Sequence, residues 1–239
     1  MRAETREVLP GWIALAVAAA AAWLRTLDDA AAMGDAPGTM GMPLAPFLAM
    51  WVPMMAAMML PAIAPVATLW SRAIVRAPGA VRRAVRLMLF AAGYLATWAG
   101  AGLVAFALAR AAERGLDACA CDGRVVASAI LAVAGLYQLS PLREACLLKC
   151  RSPATVLALV SAGPAVLRDL RAGALHGAWC LGCCWALMAV LALVGLMNVA
   201  AMVALAVYIF VEKTTGLGIV AGRLAGVAML VAAAVVAVR

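Results

Sequence analysis

The sequence predicts an all-α membrane protein, a polytopic bundle of about seven transmembrane helices with a cytoplasmic N-terminus. The first observation behind this prediction is composition. Hydrophobic residues make up 68% of the 239 residues, charged residues only 13%, and the mean hydropathy is +1.05. Soluble domains carry about 25% charged and 45–50% apolar residues. The second observation is that long apolar runs alternate with short clusters of arginine.

The apolar runs predict seven spans within a single membrane domain, residues 1–239, because a crossing takes about 20 apolar residues. The spans are expected near residues 10–27, 43–70, 87–109, 125–142, 174–197, 199–211 and 217–238. We interpret the first as a retained helix rather than a cleaved signal peptide, since further spans follow it. The sixth is short and crosses only if its Lys213 end reaches the interface. Residues 143–173 form a predicted cytoplasmic loop, in which the apolar Ala154–Leu167 is an interfacial or re-entrant segment.

The distribution of positive charge predicts the orientation. The loop after the second predicted helix contains no acidic residue and holds Arg72, Arg76, Arg82, Arg83 and Arg86. Cytoplasmic loops are enriched in Lys and Arg, so this loop and the N-terminus lie inside and the C-terminus lies outside. The net charge of +8 therefore belongs to loops. The lipid bilayer is the expected partner, and nucleic acid is not.

Five methionines within ten residues distinguish the second predicted helix: Met50, Met54, Met55, Met58 and Met59. The first, second and fourth of these recur every four residues and share one helical face, and the other two form a row beside it. Thioethers are soft, uncharged ligands that select Cu(I) over hard cations. The alternative is that these side chains fill gaps between packed helices.

The fifth predicted helix carries Cys180, Cys183 and Cys184, with Met188 one turn further along. Positions 180 and 184 face one way, and position 183 lies beside them. Thiolates and a thioether on one helical face can hold a soft metal. Alternatively, buried cysteines act as small hydrophobes. The C-x-x-C spacing of Cys180 and Cys183 also occurs in redox motifs, but no thioredoxin-like βαβ pattern surrounds it.

Two further cysteine pairs lie outside the predicted spans. Cys146 and Cys150 are four residues apart at the predicted cytoplasmic mouth, where neighbouring basic residues favour thiolates. Metal binding or transfer, a reversible disulfide and lipidation all remain open for this pair. Cys119 and Cys121 lie in a predicted outer loop, where metal capture and an accidental pairing are equally compatible with the pattern.

Polar side chains in or beside the apolar runs are functional candidates by default. They are Tyr137, Gln138, His176, Asn198, Glu212 and Arg223. We expect Tyr137 and Gln138 to support the nearby cysteines, and Glu212 to pair with Arg223. His176 is placed at the inner mouth of the fifth predicted helix, as either a ligand or an interfacial histidine.

Three stretches of the sequence occur together in a known family. They are Met50-Trp-Val-Pro-Met-Met-Ala-Ala-Met-Met-Leu-Pro61; Gly135-Leu-Tyr-Gln-Leu-Ser-Pro-Leu142 with Cys146 and Cys150-Arg-Ser-Pro153; and Cys180-Leu-Gly-Cys-Cys-Trp-Ala-Leu-Met188 with Met197-Asn198 and Glu212-Lys213. In combination they resemble the DUF2182 family of predicted metal-binding integral membrane proteins, which is linked to copper supply for bacterial tyrosinases. The resemblance covers roughly residues 45–217.

The resemblance implies a metal role for Met54, Met55, Met58, Met59, Cys146, Cys150, Cys180, Cys183 and Cys184. It also fits a location in the bacterial inner (cytoplasmic) membrane. With the soft ligands, it favours Cu(I) as the metal, handled by transport or by chaperone delivery. A copper-dependent enzyme or a soluble metallochaperone is then the expected partner. The single histidine of the chain does not favour a Cu(II) site.

Two other function classes remain open. One is a membrane thiol–disulfide oxidoreductase that uses the paired cysteines, and the other is a non-catalytic assembly or scaffold subunit. The chain has no ATP-binding loop and no phosphorylated-aspartate motif. A primary pump is therefore not expected, and the balance favours a protein that is not an enzyme.

Overall fold

The computed structural model describes residues 2–33, 39, 41–73, 79–119, 122–152 and 165–238, without the side chains of residues 2–11, 71–73, 80, 116–119 and 165–166. These residues form α-helices and no strand, which confirms the predicted all-α class. Within the described ranges, the helices are α1 (Arg2–Met33), α2 (Leu44–Ala62), α3 (Ala64–Ala73), α4 (Ala80–Cys119), α5 (Gly123–Gln138), α6 (Pro141–Arg151), α7 (Ala165–Val194), α8 (Val199–Thr214) and α9 (Gly218–Val238).

Four of the described helices are long and apolar enough to cross a membrane: α2, α7, α9 and the Val81–Gly115 part of α4. Helices α5 and α6 meet the same criterion only as a pair that is bent by 62°, so up to five spans qualify. Helix α8 has 16 residues, about 24 Å at 1.5 Å per residue, which is shorter than the hydrocarbon core of about 30 Å. The count of seven spans and the cytoplasmic N-terminus stay predictions.

The predicted span at residues 43–70 is wrong as a single helix. It divides at Ile63 into α2 and α3. Pro61 lies one residue before the end of α2. A proline inside a helix has no N–H to donate to the preceding turn, and its ring crowds that turn. The division therefore follows from a residue that the sequence shows.

The predicted span at residues 125–142 also ends early, at Gln138. Ser140 begins a new helix, because its hydroxyl accepts a hydrogen bond from the Arg143 amide at 3.3 Å, and Pro141 occupies the first helical position. The loop predicted at residues 143–173 is accordingly wrong at both ends, since α6 and the start of α7 lie in it. Most of the predicted interfacial segment, residues 154–164, lies outside the described residues.

Helices α4 and α7 approach each other closely at glycine positions. A Cβ atom at Gly93 would collide with the backbone carbonyl of Leu170, and one at Gly173 would collide with that of Phe90. Small residues permit this backbone approach between membrane helices. Gly177 continues the contact beside Thr97 and the Tyr94 carbonyl.

A buried ion pair joins the same two helices near the ends that are predicted to lie on the cytoplasmic side. The Arg86 guanidinium donates from Nε and Nη2 to the two Asp169 carboxylate oxygens, at 2.8 and 2.9 Å. Asp169 is fully buried. The bidentate geometry fixes the guanidinium in orientation as well as in distance, so the pair sets the register of α4 against α7.

We expect Gly93→Ala to destabilise the protein by about 1–3 kcal/mol, because the new methyl group must displace backbone rather than a flexible side chain. Gly100→Ala is the matched control on the same helix, since no atom lies within 4 Å of its added Cβ. The thermal unfolding midpoint of each variant in detergent measures the difference. Equal midpoints for the two variants would contradict the tight α4–α7 contact.

One continuous buried core connects the helices that carry the methionines and the cysteines. Helix α2 packs against α1, α4 and α8, whereas α7 packs against α4, α5 and α6. Helix α8 contacts both α2 and α7. The packing therefore places α4 and α8 between the methionine helix and the cysteine helix.

Candidate metal centre

Four buried cysteine thiols, which we call the cysteine cluster, converge from two helices: Cys150 on α6 and Cys180, Cys183 and Cys184 on α7. Each is at most 2% exposed. The sulfur atoms of Cys183 and Cys184 are 3.4 Å apart, and the Cys150 thiol lies near the Cys180 and Cys183 thiols. The α7 members share a face because they are three and four residues apart. Packing of α6 on α7 supplies the fourth.

The Cys180 sulfur has the most polar surroundings of the cluster. The Lys213 ammonium, on α8, donates a hydrogen bond to it at 2.8 Å. The Tyr94 hydroxyl, on α4, is also 2.8 Å from it. Because two other helices each place a polar group on this sulfur of α7, the position is built by tertiary packing and not by a local motif.

His176 lies with the cysteine cluster, and its predicted place at the mouth of the helix is wrong. Helix α7 begins at Ala165, so His176 lies three turns inside it and is only 3% exposed. Its Nε2 is 3.9 Å from the Cys150 sulfur. Its ring packs against those of Phe90 and Tyr94, with centroids 6.0 and 5.9 Å away. The Lys213 ammonium, at 2.8 Å from Cys180, lies closer to a cluster thiol than this imidazole does.

The donor set of the cysteine cluster suits a soft monovalent ion. No group of three Cys, His, Asp or Glu side chains within the described ranges is arranged as a ready metal site. A structural zinc site requires four such ligands in a tetrahedron, whereas Cu(I) is satisfied by two soft ligands. Thiolates are the ligands that Cu(I) prefers. A pair of thiolates from this cluster therefore fits Cu(I) better than zinc.

The methionine stripe lies in the same core but on another helix. Met54, Met55, Met58 and Met59 are fully buried, and Met50 is 3% exposed. These thioethers belong to α2, which α4 and α8 separate from α7. Met188, on α7 itself, is also buried. The structure thus places one soft ligand set on α2 and a second at the α6–α7 contact.

Met58 also lines a groove of about 340 Å³ on the surface of the bundle. The groove is apolar and includes Trp23 from α1, Pro61 from α2 and Phe210 from α8.

Cys146 is separated from the cysteine cluster although it is one turn from Cys150. Its sulfur lies directly over Gly182, which is on the opposite side of α7 from Cys180. The Tyr137 hydroxyl donates to the Gly182 carbonyl at 2.6 Å, and its ring packs on Trp185 at 4.7 Å between centroids. Tyr137 therefore holds α5 and α7 together beside Cys146.

Two of the predicted supporting residues have other surroundings. The Asn198 side chain accepts a hydrogen bond from the Ala201 amide at 3.0 Å and so caps the start of α8. Gln138 is fully buried at the end of α5. Neither amide atom of Gln138 has a hydrogen-bond partner within the described part of the chain.

The predicted pairing of Glu212 with Arg223 is wrong. Glu212 forms an ion pair with Arg143, and both side chains are fully buried. Arg223 instead donates to Glu144 at 2.8 Å. The bend after α5 explains the difference, because it turns the first residues of α6 toward α8 and α9. The sequence predicts a loop at these residues and therefore gives no partner for Glu212 there.

Sequence reasoning missed Tyr94 and the role of Lys213. It placed Lys213 at the membrane interface, but the residue is 7% exposed and directed at Cys180. The available signal was a lysine at the end of an apolar helix, which is a functional candidate by default. Cys121 and the Cys119 side chain lie outside the described part of the structure, so metal capture and an accidental pair both stay as alternatives for them.

Comparison with known proteins identifies the family. A family model described as PpoB2, copper chaperone, matches residues 48–236, more than three quarters of the chain. The matched range includes the methionine stripe, the cysteine cluster and Lys213. This family is the same as the DUF2182 family that the sequence resembles. No curated protein and no solved structure matches the chain. The chain belongs to the PpoB2 family of copper chaperones.

Proposed function

We propose that the protein is a membrane-embedded Cu(I) chaperone that holds its cargo at the cysteine cluster and delivers it by ligand exchange. The observation that carries the proposal is the convergence of four buried thiols from α6 and α7. Copper is the cargo here, so the site must bind it and also release it. The recipient is a copper-dependent enzyme or a soluble metallochaperone, and the location is the bacterial inner membrane.

An excess of thiols over the ligands that Cu(I) needs supports delivery rather than permanent storage. When more soft donors lie within reach than the ion requires, one sulfur can replace another without leaving the ion bare. Cys150 is the donor that belongs to the short helix α6, while the other three are part of α7. The fully buried thioethers of α2 form a second, uncharged and weaker soft set in the same core.

Copper coordination in the wild-type protein tests the proposal. Purified protein loaded with Cu(I) under anaerobic, reducing conditions is expected to retain about one copper per chain at the highest-affinity site. X-ray absorption should show only sulfur atoms around that copper. Retention of no copper would overturn the proposal, and so would a first shell made of nitrogen and oxygen.

A further inference from the structure

Lys213 stands out among the buried charged side chains. Within the described ranges these are Asp29, Arg143, Asp169, Glu212 and Lys213. Each of the first four has an oppositely charged partner within the ion-pair distance. Lys213 has none in the described part of the chain, and its neighbour Glu212 is already paired with Arg143. Among the described residues, the buried interior therefore carries one positive charge that no carboxylate balances.

The partner of that positive charge is a cysteine sulfur. The Lys213 ammonium donates to Cys180 at 2.8 Å in a region where both residues are buried. An uncompensated charge in an apolar interior costs several kcal/mol, and charged groups within membrane segments mark functional sites. The geometry accordingly pairs Lys213 with a negative charge on the cysteine cluster.

We propose that Lys213 is the counter-cation of a Cu(I) bis-thiolate site and thereby determines which metal ion the site accepts. The inference deepens the proposed function and rests on it. Lys213 is a positioning residue, since it acts through the Cys180 sulfur and is not a ligand itself. The two thiolates are assigned to Cys180 and Cys150, which lie near each other across α6 and α7.

The charges of the loaded site then balance. Two thiols each lose one proton to the surrounding medium as Cu(I) binds, and the resulting copper bis-thiolate carries one negative charge. The Lys213 ammonium brings the sum to zero. The Cys183 thiol donates its hydrogen to the Cys180 carbonyl at 3.2 Å, so it remains neutral. No further negative charge from Cys183 is needed.

The same balance fails for a divalent ion. Zn(II) on the same two thiolates gives a neutral complex, so the Lys213 ammonium is left without a counter-charge in an interior where an unpaired charge costs several kcal/mol. Ag(I), which is also soft and monovalent, behaves like Cu(I). Lys213 therefore favours soft monovalent over divalent ions by charge, in addition to the preference that the sulfur donors supply.

The test compares metal affinities of full-length wild type, Lys213→Met and Lys213→Arg. Dissociation constants for Cu(I), Ag(I) and Zn(II) are measured in detergent by competition with chromophoric chelators. We expect Lys213→Met to weaken Cu(I) and Ag(I) binding by roughly tenfold or more, without a matching loss of Zn(II) binding. Lys213→Arg keeps the charge and should stay within about threefold of wild type.

Lys149→Met is the matched control, because Lys149 is exposed and its ammonium lies 4.0 Å above the Trp179 ring instead of on a thiol. It should leave all three affinities unchanged. If Lys213→Met does not give monodisperse protein, Lys213→Gln provides the same comparison.

An unchanged Cu(I)-to-Zn(II) ratio in the Lys213 variants would overturn the role of Lys213, even if both affinities fell. An arginine variant as weak as the methionine variant would overturn it as well, since charge would then not be the operative property. Absence of Cu(I) binding by the wild type would instead overturn the proposed function itself.

Discussion

Cys180→Ser is expected to weaken Cu(I) binding by about 100-fold or more. Removal of a partner that only orients a metal ligand typically costs 10–100-fold in affinity, and this change removes the sulfur on which the polar contacts converge. A serine hydroxyl is a hard donor and replaces a soft one poorly. Competition with a chromophoric Cu(I) chelator, under anaerobic conditions, measures the affinity.

Cys146→Ser is the control for this prediction. Cys146 is also buried and belongs to the same α6 helix as Cys150, but its sulfur packs on Gly182 on the other side of α7. We expect the Cu(I) affinity of this variant to remain within about threefold of wild type, because Cys146 neither binds the ion nor orients a residue that does. Loss of an orienting partner would lower the affinity by more than threefold. A larger loss for Cys146→Ser than for Cys180→Ser would move the copper site away from the cysteine cluster.

Glu212→Leu is expected to destabilise the protein by about 3–5 kcal/mol, because it leaves the fully buried Arg143 charge without its partner. The double variant Arg143→Met/Glu212→Leu should recover most of the loss, since well-packed apolar residues often replace a buried pair without penalty. The thermal unfolding midpoint in detergent is measured for wild type, both single variants and the double variant, which together form a double-mutant cycle.

Glu144→Leu provides the comparison for an exposed pair. Its partner Arg223 is 61% exposed at the side chain, and ion pairs in contact with solvent contribute only about 0–1 kcal/mol. A shift for Glu144→Leu as large as that for Glu212→Leu would show that burial does not determine the cost. A double variant that remains as unstable as Glu212→Leu would indicate that the pair is required for packing and not for charge compensation.

The fold class and the grouping of soft ligands could be predicted because both depend on local periodicity. The apolar runs predict helices, and the spacing of Cys180, Cys183 and Cys184 places them on one face of α7. The copper connection could be predicted from the type of donor and from the family resemblance. The family match supports that connection independently.

The remaining part of the site depends on contacts between distant segments. Cys150 joins the cluster only because α6 turns away from α5, and the sequence signals for this turn, Ser140 and Pro141, lie inside an apolar run that looked continuous. Tyr94 and Lys213 reach Cys180 from helices that no local pattern relates to α7. The pairing of Glu212 with Arg143 could not be predicted for the same reason, since pairing across helices depends on the angles at which the helices pack.

The 62° bend between α5 and α6 divides the cysteine cluster into a part on the main bundle and a part on a separate short helix. Three of the four thiols belong to a helix that is tied to α4 by glycine contacts and by the Arg86–Asp169 pair. The fourth belongs to an eleven-residue helix attached through a bend. Displacement of α6 would open the site, and it would also separate Arg143 from Glu212 on α8. The free energy needed to release a bound ion would then depend on how firmly this short helix is held. A recipient protein would need to displace α6 and could leave α7 in place.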